Sequence, residues 1–144
     1  MGKFSSFGTQ LTIGDAATPT EAFTVVAGVQ DISGPGFTTD IIEVTAHDSP
    51  NAFEEFVAGI KRSGEVTFDL ALDPADATHD ETTGLFAFWQ DRLAHNMQLI
   101  WPFLSPSRQM DFAGIVIGFE YTAPVSGFLG ASITIKPTGE PVFT

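Results

Sequence analysis

The sequence contains no cysteine, which excludes disulfides, thiolate zinc sites and cysteine nucleophiles. Basic residues are scarce: six Lys and Arg stand against 18 Asp and Glu, for a formal net charge of −12. So acidic a surface repels nucleic-acid phosphate and anionic lipid. No run approaches the ~18–20 apolar residues of a membrane span. The start, MGKFSSFGTQLTIGD, has no apolar run of signal-peptide length, so the chain is expected to be uncleaved and made in the cytosol. Gly2 and Ser6 fit a myristoylation pattern only by coincidence. The G-x-S-x-G elbow, the G-x-G-x-x-G and Walker loops, H-E-x-x-H and the EF-hand loop are all missing. There are no repeats and no shift of composition that would mark a second domain.

What is present is a chain of 144 residues, 43% hydrophobic, long enough to bury a core as one domain. Fourteen Phe against one Tyr point to packed interior or buried interface.

Period-two alternation dominates and predicts strands. In GEVTFDLAL, Val66, Phe68, Leu70 and Leu72 face one way, and Glu65, Thr67 and Asp69 the other. Leu11 and Ile13 share a side, as do Phe23, Val25, Ala27 and Val29. Ile42 and Val44 mark another strand, and Met97, Leu99, Trp101 and Phe103 another, with Pro102 at its edge or end. In DFAGIVIGFEY one face is read as Ile115, Ile117, Phe119 and Tyr121. In GASITIKP it is read as Ala131, Ile133 and Ile135, ended by Pro137. The period changes once. Leu85, Trp89 and Leu93 recur at helical spacing, which predicts an amphipathic helix over 78–95. Thr78 and Glu81 fit a capping box, and Arg92 and His95 suit the dipole at the other end. The expected class is α+β, mostly β: an antiparallel sandwich or barrel with one flanking helix.

Two polar clusters invite a chemical reading. His47-Asp48-Ser49 has the residue types of a hydrolase, but sequence neighbours rarely converge on one point. The better reading is a turn in which side-chain oxygens bond nearby amides. His47, Asp48, Glu54 and Glu55, or His79-Asp80-Glu81, have no metal-ligand spacing. No catalytic group, metal or cofactor is expected.

Residues 46–63 show no strand period and read as a long inter-strand loop. Phe53, Phe56, Val57 and Ile60 lie within it. They either fold back on their own core or bury against another copy of the chain. Lys61 and Arg62, with Glu54 and Glu55 near, read as a charge-complementary contact.

The ordered set Thr45, His47, Asp48, Ser49, Glu55, Phe56, Gly59, Gly64, Glu65, Val66, Phe68, Asp73 and Pro74 resembles the pattern of siphophage major tail tube proteins. The closing ITIKPTGEP is similar to that family's last strand and tail. The resemblance covers nearly the whole chain. It implies a single tail tube domain over 1–144, with an N-terminal arm (1–8), an assembly loop (46–63) and a C-terminal tail (137–144). It further implies hexameric rings stacked into a tube in the virion tail, assembled in the host cytoplasm. The tube would surround a tape measure protein, meet terminator and tail-tip proteins, and pass genomic DNA without binding it or touching a membrane. The self-assembly residues it implies are His47, Asp48, Ser49, Phe53, Glu54, Glu55, Phe56, Gly59, Lys61 and Arg62. The alternatives are a type VI secretion-like tube or a carbohydrate-binding β-sandwich using Trp89 and Trp101, although both tryptophans fall on faces read as buried.

Overall fold

Val66, Phe68 and Leu70 alternate with Thr67 and Asp69, and they form a strand with one buried face. The same logic builds most of the fold in the computed structural model, which describes residues 3–16, 18–101 and 108–144. The strands are β1 (Gln10–Gly14), β2 (Phe23–Val25), β3 (Val29–Ser33), β4 (Phe37–Glu43), β5 (Phe56–Ser63) and β6 (Val66–Ala71). A short helix, α1 (Leu85–Asp91), precedes β7 (His95–Trp101), β8 (Arg108–Thr122) and β9 (Gly130–Phe143). Seven strands form one antiparallel sheet in the order β2-β1-β7-β8-β9-β6-β3, and β4 and β5 pair separately.

The order of that sheet forces its shape. β2 and β3 are its two edges, yet only residues 26–28 join them. That link reaches roughly 14 Å at full extension, whereas seven flat strands at ~4.8 Å spacing would span about 29 Å. The sheet must therefore roll until its edges approach. The link is pinned to both sides: Val26 N–H donates to Leu11 O at 2.9 Å, and Ala71 N–H donates to Gly28 O at 2.8 Å. Gly28 has φ +72°, and a Cβ there would lie 2.6 Å from Ala71 O, so only glycine fits. The hydrogen-bonded ladder itself ends at β2 and β3, so the roll is not a closed barrel.

The inside of the roll is the core. Leu11, Val66, Phe68, Leu70, Met97, Met110, Ile133 and Ile135 are buried there, with Val26 from the link and Leu85 and Phe88 from α1.

Several expectations change at this level. The helix occupies Leu85–Asp91 and not 78–95. Thr78 is not a cap, because its hydroxyl donates to Asp76. Asp80 instead accepts from the amides of Thr82, Thr83 and Gly84 at 3.2, 2.9 and 3.0 Å. One carboxylate holding three amides outcompetes a helical turn there. His79 is buried: its Nδ1 accepts from Asp73 N–H at 3.1 Å, and its Nε2–H donates to Ala27 O. Arg92 is the left-handed residue that ends α1, and His95 opens β7, stacked on Phe88 at 3.7 Å. Trp89 is half exposed on the helix, against Phe86.

The strand from Phe23 to Val29 is broken at the link, so Val26 turns inward while Phe23 and Val25 stay outside. β8 buries Met110, Phe112, Gly114 and Val116 and leaves Ile117 exposed, the opposite phase to the one read from sequence. A register shift between Val116 and Gly118 restores the phase, and Phe119 packs against the core. Pro137 does not end β9. Pairing with β6 stops at Ile135, so beyond it β9 is an edge strand, where proline is tolerated. The stretch 137–144 is thus mostly strand and not a tail. Pro102 and Phe103 lie outside the described residues.

Two outcomes are expected. Ile133→Ala should cost roughly 2–5 kcal/mol in denaturant unfolding, and Ile42→Ala on the exposed ribbon within about 0.5 kcal/mol; equal losses would contradict the fold. Asp80 is held below its ordinary value, first by the Thr83 amide. A depressed carboxylate stabilises above about pH 4, and that stability is lost as pH falls through its folded value. Asp80→Asn should therefore lower the melting temperature at pH 7, and the deficit should shrink on acidification below about pH 4; a deficit constant with pH would refute the assignment.

Candidate functional site

The stretch expected as a loop over 46–63 is half strand. Residues 56–63 form β5 and pair with β4 in a two-stranded ribbon; only 44–55 connect them. Ile41 faces Ala58, Ile42 faces Val57, and Thr39 faces Lys61. Between these pairs the register shifts, so Gly59 and Ile60 together oppose Asp40. That bulge is why alternation was not visible in the sequence.

Paired residues share a face, and next neighbours along a strand alternate. One face of the ribbon carries Ile42, Val57 and Val44; the other carries Ile41, Phe56 and Phe37. All six are exposed, and so are Ile60 (66%) and Phe53 (73%). The ribbon touches the roll at its base. Lys136 Nζ donates to Ser63 O at 3.0 Å and Phe37 meets Phe143 edge-on at 6.4 Å, while Gly64 N–H donates to Gly36 O at 2.7 Å and closes the ribbon's own base. A two-stranded hairpin apolar on both sides is marginal alone, and so large an exposed apolar area marks an interaction surface.

The polar residues of the stretch mostly shape its tip. Ser49 Oγ accepts from Ala46 N–H and donates to Glu55 Oε2, both at 2.9 Å. Glu55 N–H donates to Thr45 Oγ1 at 2.9 Å, and Glu55 O accepts from Val44 N–H at 2.9 Å. The Ser49 hydroxyl is thus committed to Glu55 and not to His47. His47, Asp48 and Glu54 are exposed beside it. Asn51 and Ala52 both have left-handed backbone, φ 55° and 60°. For Ala52 that conformation costs on the order of 1 kcal/mol.

The two bases separate in role. Arg62 grips Asp40 through Nε at 3.0 and 3.1 Å and Nη2 at 2.9 Å. The Arg62 hydrogen bond holds Asp40 below its ordinary carboxylate range. Arg62 therefore fixes the ribbon across its bulge rather than standing ready for a partner, while Lys61 is exposed with no ion pair among the described residues. A Cβ on Gly59 would lie 3.2 Å from Ile42 Cδ1, the movable end of that side chain. No group of three or more potential metal ligands exists among the described residues.

Sequence reasoning missed Phe37, Ile41 and Ile42 as surface residues. It also missed Val125 and Phe128 between β8 and β9, and Val142 and Phe143 at the end of β9. The adjacent apolar pairs, Ile41-Ile42 and Phe56-Val57, were the available signal of a strand covered on both sides.

Residues 3–101 match the sequence profile of the family described as "Phage tail tube, TTP, lambda-like". No curated protein sequence matches the chain. Among solved structures, the fold is similar to the tail of an empty gene transfer agent particle refined with C6 helical symmetry. That likeness has TM-score 0.71 and 19% identity, over 93% of this chain and 95% of that one. It is similar to the SPP1 tail tube at TM-score 0.66 and 13% identity, over 94% and 75%. It is similar to a chain of the anti-feeding prophage baseplate at TM-score 0.71 and 11% identity, over 100% and 97%. At these identities the likeness is one of fold.

Ser49→Ala should speed hydrogen exchange at the Ala46 amide while leaving global stability within about 0.5 kcal/mol. An unchanged Ala46 rate would show that Ser49 does not hold the tip.

Proposed function

Because the chain belongs to the lambda-like phage tail tube family, we propose that it is the major tail tube subunit of a long-tailed phage, built into hexameric rings that stack around a lumen for genome passage. It is a structural component of the virion tail. The observation that carries the finer reading is the ribbon: the apolar side chains on both of its faces stay largely exposed, so a neighbouring copy is the natural cover. The C6 symmetry named for the gene transfer agent tail supports six copies per ring.

The chemistry suits a conduit. A protein of net charge −12 repels DNA phosphate, so a genome can pass without being held. Thr67 and Asp69 point away from the core on β6 and supply a polar face of the kind a lumen needs. During assembly in the host cytoplasm the lumen would hold a tape measure protein, with a terminator at one end and tail-tip proteins at the other. No membrane contact is part of this reading. A type VI secretion-like or contractile-system tube is the second reading, supported by the equally good fold match to the anti-feeding prophage chain. The family match favours the first.

Purified protein at high concentration should show rings or tubes by electron microscopy; a strictly monomeric species would overturn the reading. Val57→Asp should leave a folded monomer that does not polymerise. Tubes of that variant would show that the ribbon is not an assembly element.

A further inference from the structure

The longest ladder in the molecule, β8 with β9, ends in two unlike apolar features. At one end is its connecting turn, residues 123–129, where Val125 is fully exposed and Phe128 is 57% exposed. The turn is tight: Gly127 N–H donates to Pro124 O at 3.4 Å, and a Cβ on Gly127 would lie 2.7 Å from Pro124 Cγ. No charged residue occurs between Glu120 and Lys136. At the other end, where the base of the ribbon meets β9, lies an open groove of about 650 Å³. Phe37, Pro141 and Phe143 form its apolar lining, with Lys61, Arg62 and Glu140 among its polar residues. Lys61 and Glu140 offset each other, and Arg62 is neutralised by Asp40. The groove is therefore close to neutral in a chain of net charge −12.

We propose that the 123–129 turn of one copy seats in the Phe37–Pro141–Phe143 groove of a second copy, and that this is the contact between successive rings. The proposal rests on the tail tube reading and names the surfaces that reading leaves open. Three observations carry it. First, the turn cannot reach its own groove. β9 runs from Gly130 beside the turn to Phe143 in the groove; a bulge near Gly139 absorbs two of the steps between them, and the remaining extended steps at ~3.3 Å put the two about 36 Å apart. Second, the two surfaces differ, so the contact is head-to-tail. A head-to-tail contact whose ends lie at opposite poles of one rigid ladder repeats along that ladder, giving an open filament rather than a closed pair. Third, copies this acidic repel one another wherever carboxylates face. An uncharged turn meeting a neutral groove is a pairing of surfaces that avoids the repulsion.

The absence of cysteine makes the test direct. Val125→Cys and Glu140→Cys are both exposed single substitutions, and any disulfide formed is the engineered one. Mixed and oxidised after assembly, the two variants should give a heterodimer on a non-reducing gel, while each variant alone should give none. Tubes without a heterodimer would overturn the contact and leave the tail tube reading standing. A Val125→Cys homodimer would also overturn it, because it would mean turn-to-turn packing. Absence of any assembly by the unsubstituted chain would remove the tail tube reading itself. As a second measurement, Val125→Asp should halt assembly at single rings; tubes of normal length would refute the stacking role.

Discussion

The link between β2 and β3 is the constraint on which the rest depends. Residues 26–28 must join the two edges of a seven-stranded sheet, and only a roll allows it. Gly28 makes the passage possible by letting Ala71 O approach. Once rolled, the sheet turns one apolar face inward, and the core residues of five strands meet across a common interior. The roll also uses up that interior. α1 inserts Leu85 and Phe88, and the buried His79 ties the preceding loop to both Ala27 and Asp73. The ribbon of β4 and β5 takes no part in that core and joins the roll only at its base.

Exclusion of the ribbon sets up a contest between apolar contact and charge. Each subunit carries a net −12, so bringing copies together costs electrostatic energy. That repulsion is screened beyond a Debye length of about 8–10 Å at ordinary salt. Apolar burial acts at contact and gains roughly 25 cal/mol per Å². Association therefore wins where the touching surfaces are apolar and the carboxylates lie to the side. The ribbon faces, with Ile41, Ile42, Phe56 and Val57, meet that condition. Arg62 helps by neutralising Asp40, the carboxylate that lies across from the bulge.

How far the sequence disclosed this depends on whether a strand has one buried face. β6 and the first half of β9 do, and Val66, Phe68, Leu70, Ala131, Ile133 and Ile135 were legible as core from alternation alone. In β8 the same method chose the wrong face, because alternation read back from Tyr121 crosses a register shift near Ile117 that no residue type announces. The start of α1 was misplaced because Asp80 gathers three amides, and a capping-box spacing cannot reveal that competition. In the candidate site the right stretch was singled out, but as a loop. Ser49 and Glu55 were legible as turn formers. Arg62 was not legible as Asp40's partner, since that pair depends on a register set by a bulge.

The ribbon also shows what a sequence pattern measures. Adjacent apolar residues, such as Ile41-Ile42 and Phe56-Val57, are the signature of a strand covered on both faces. In the single subunit both faces are open. The composition of a strand records the environment in which it works, and accessibility in one chain records only what that chain can cover by itself. The difference between the two is a direct measure of what neighbours must supply. For β6 and the first half of β9 the difference is nil on the core face. For β4 and β5 it is nearly the whole apolar surface, the surface that on the proposed tail tube reading a neighbouring copy would cover.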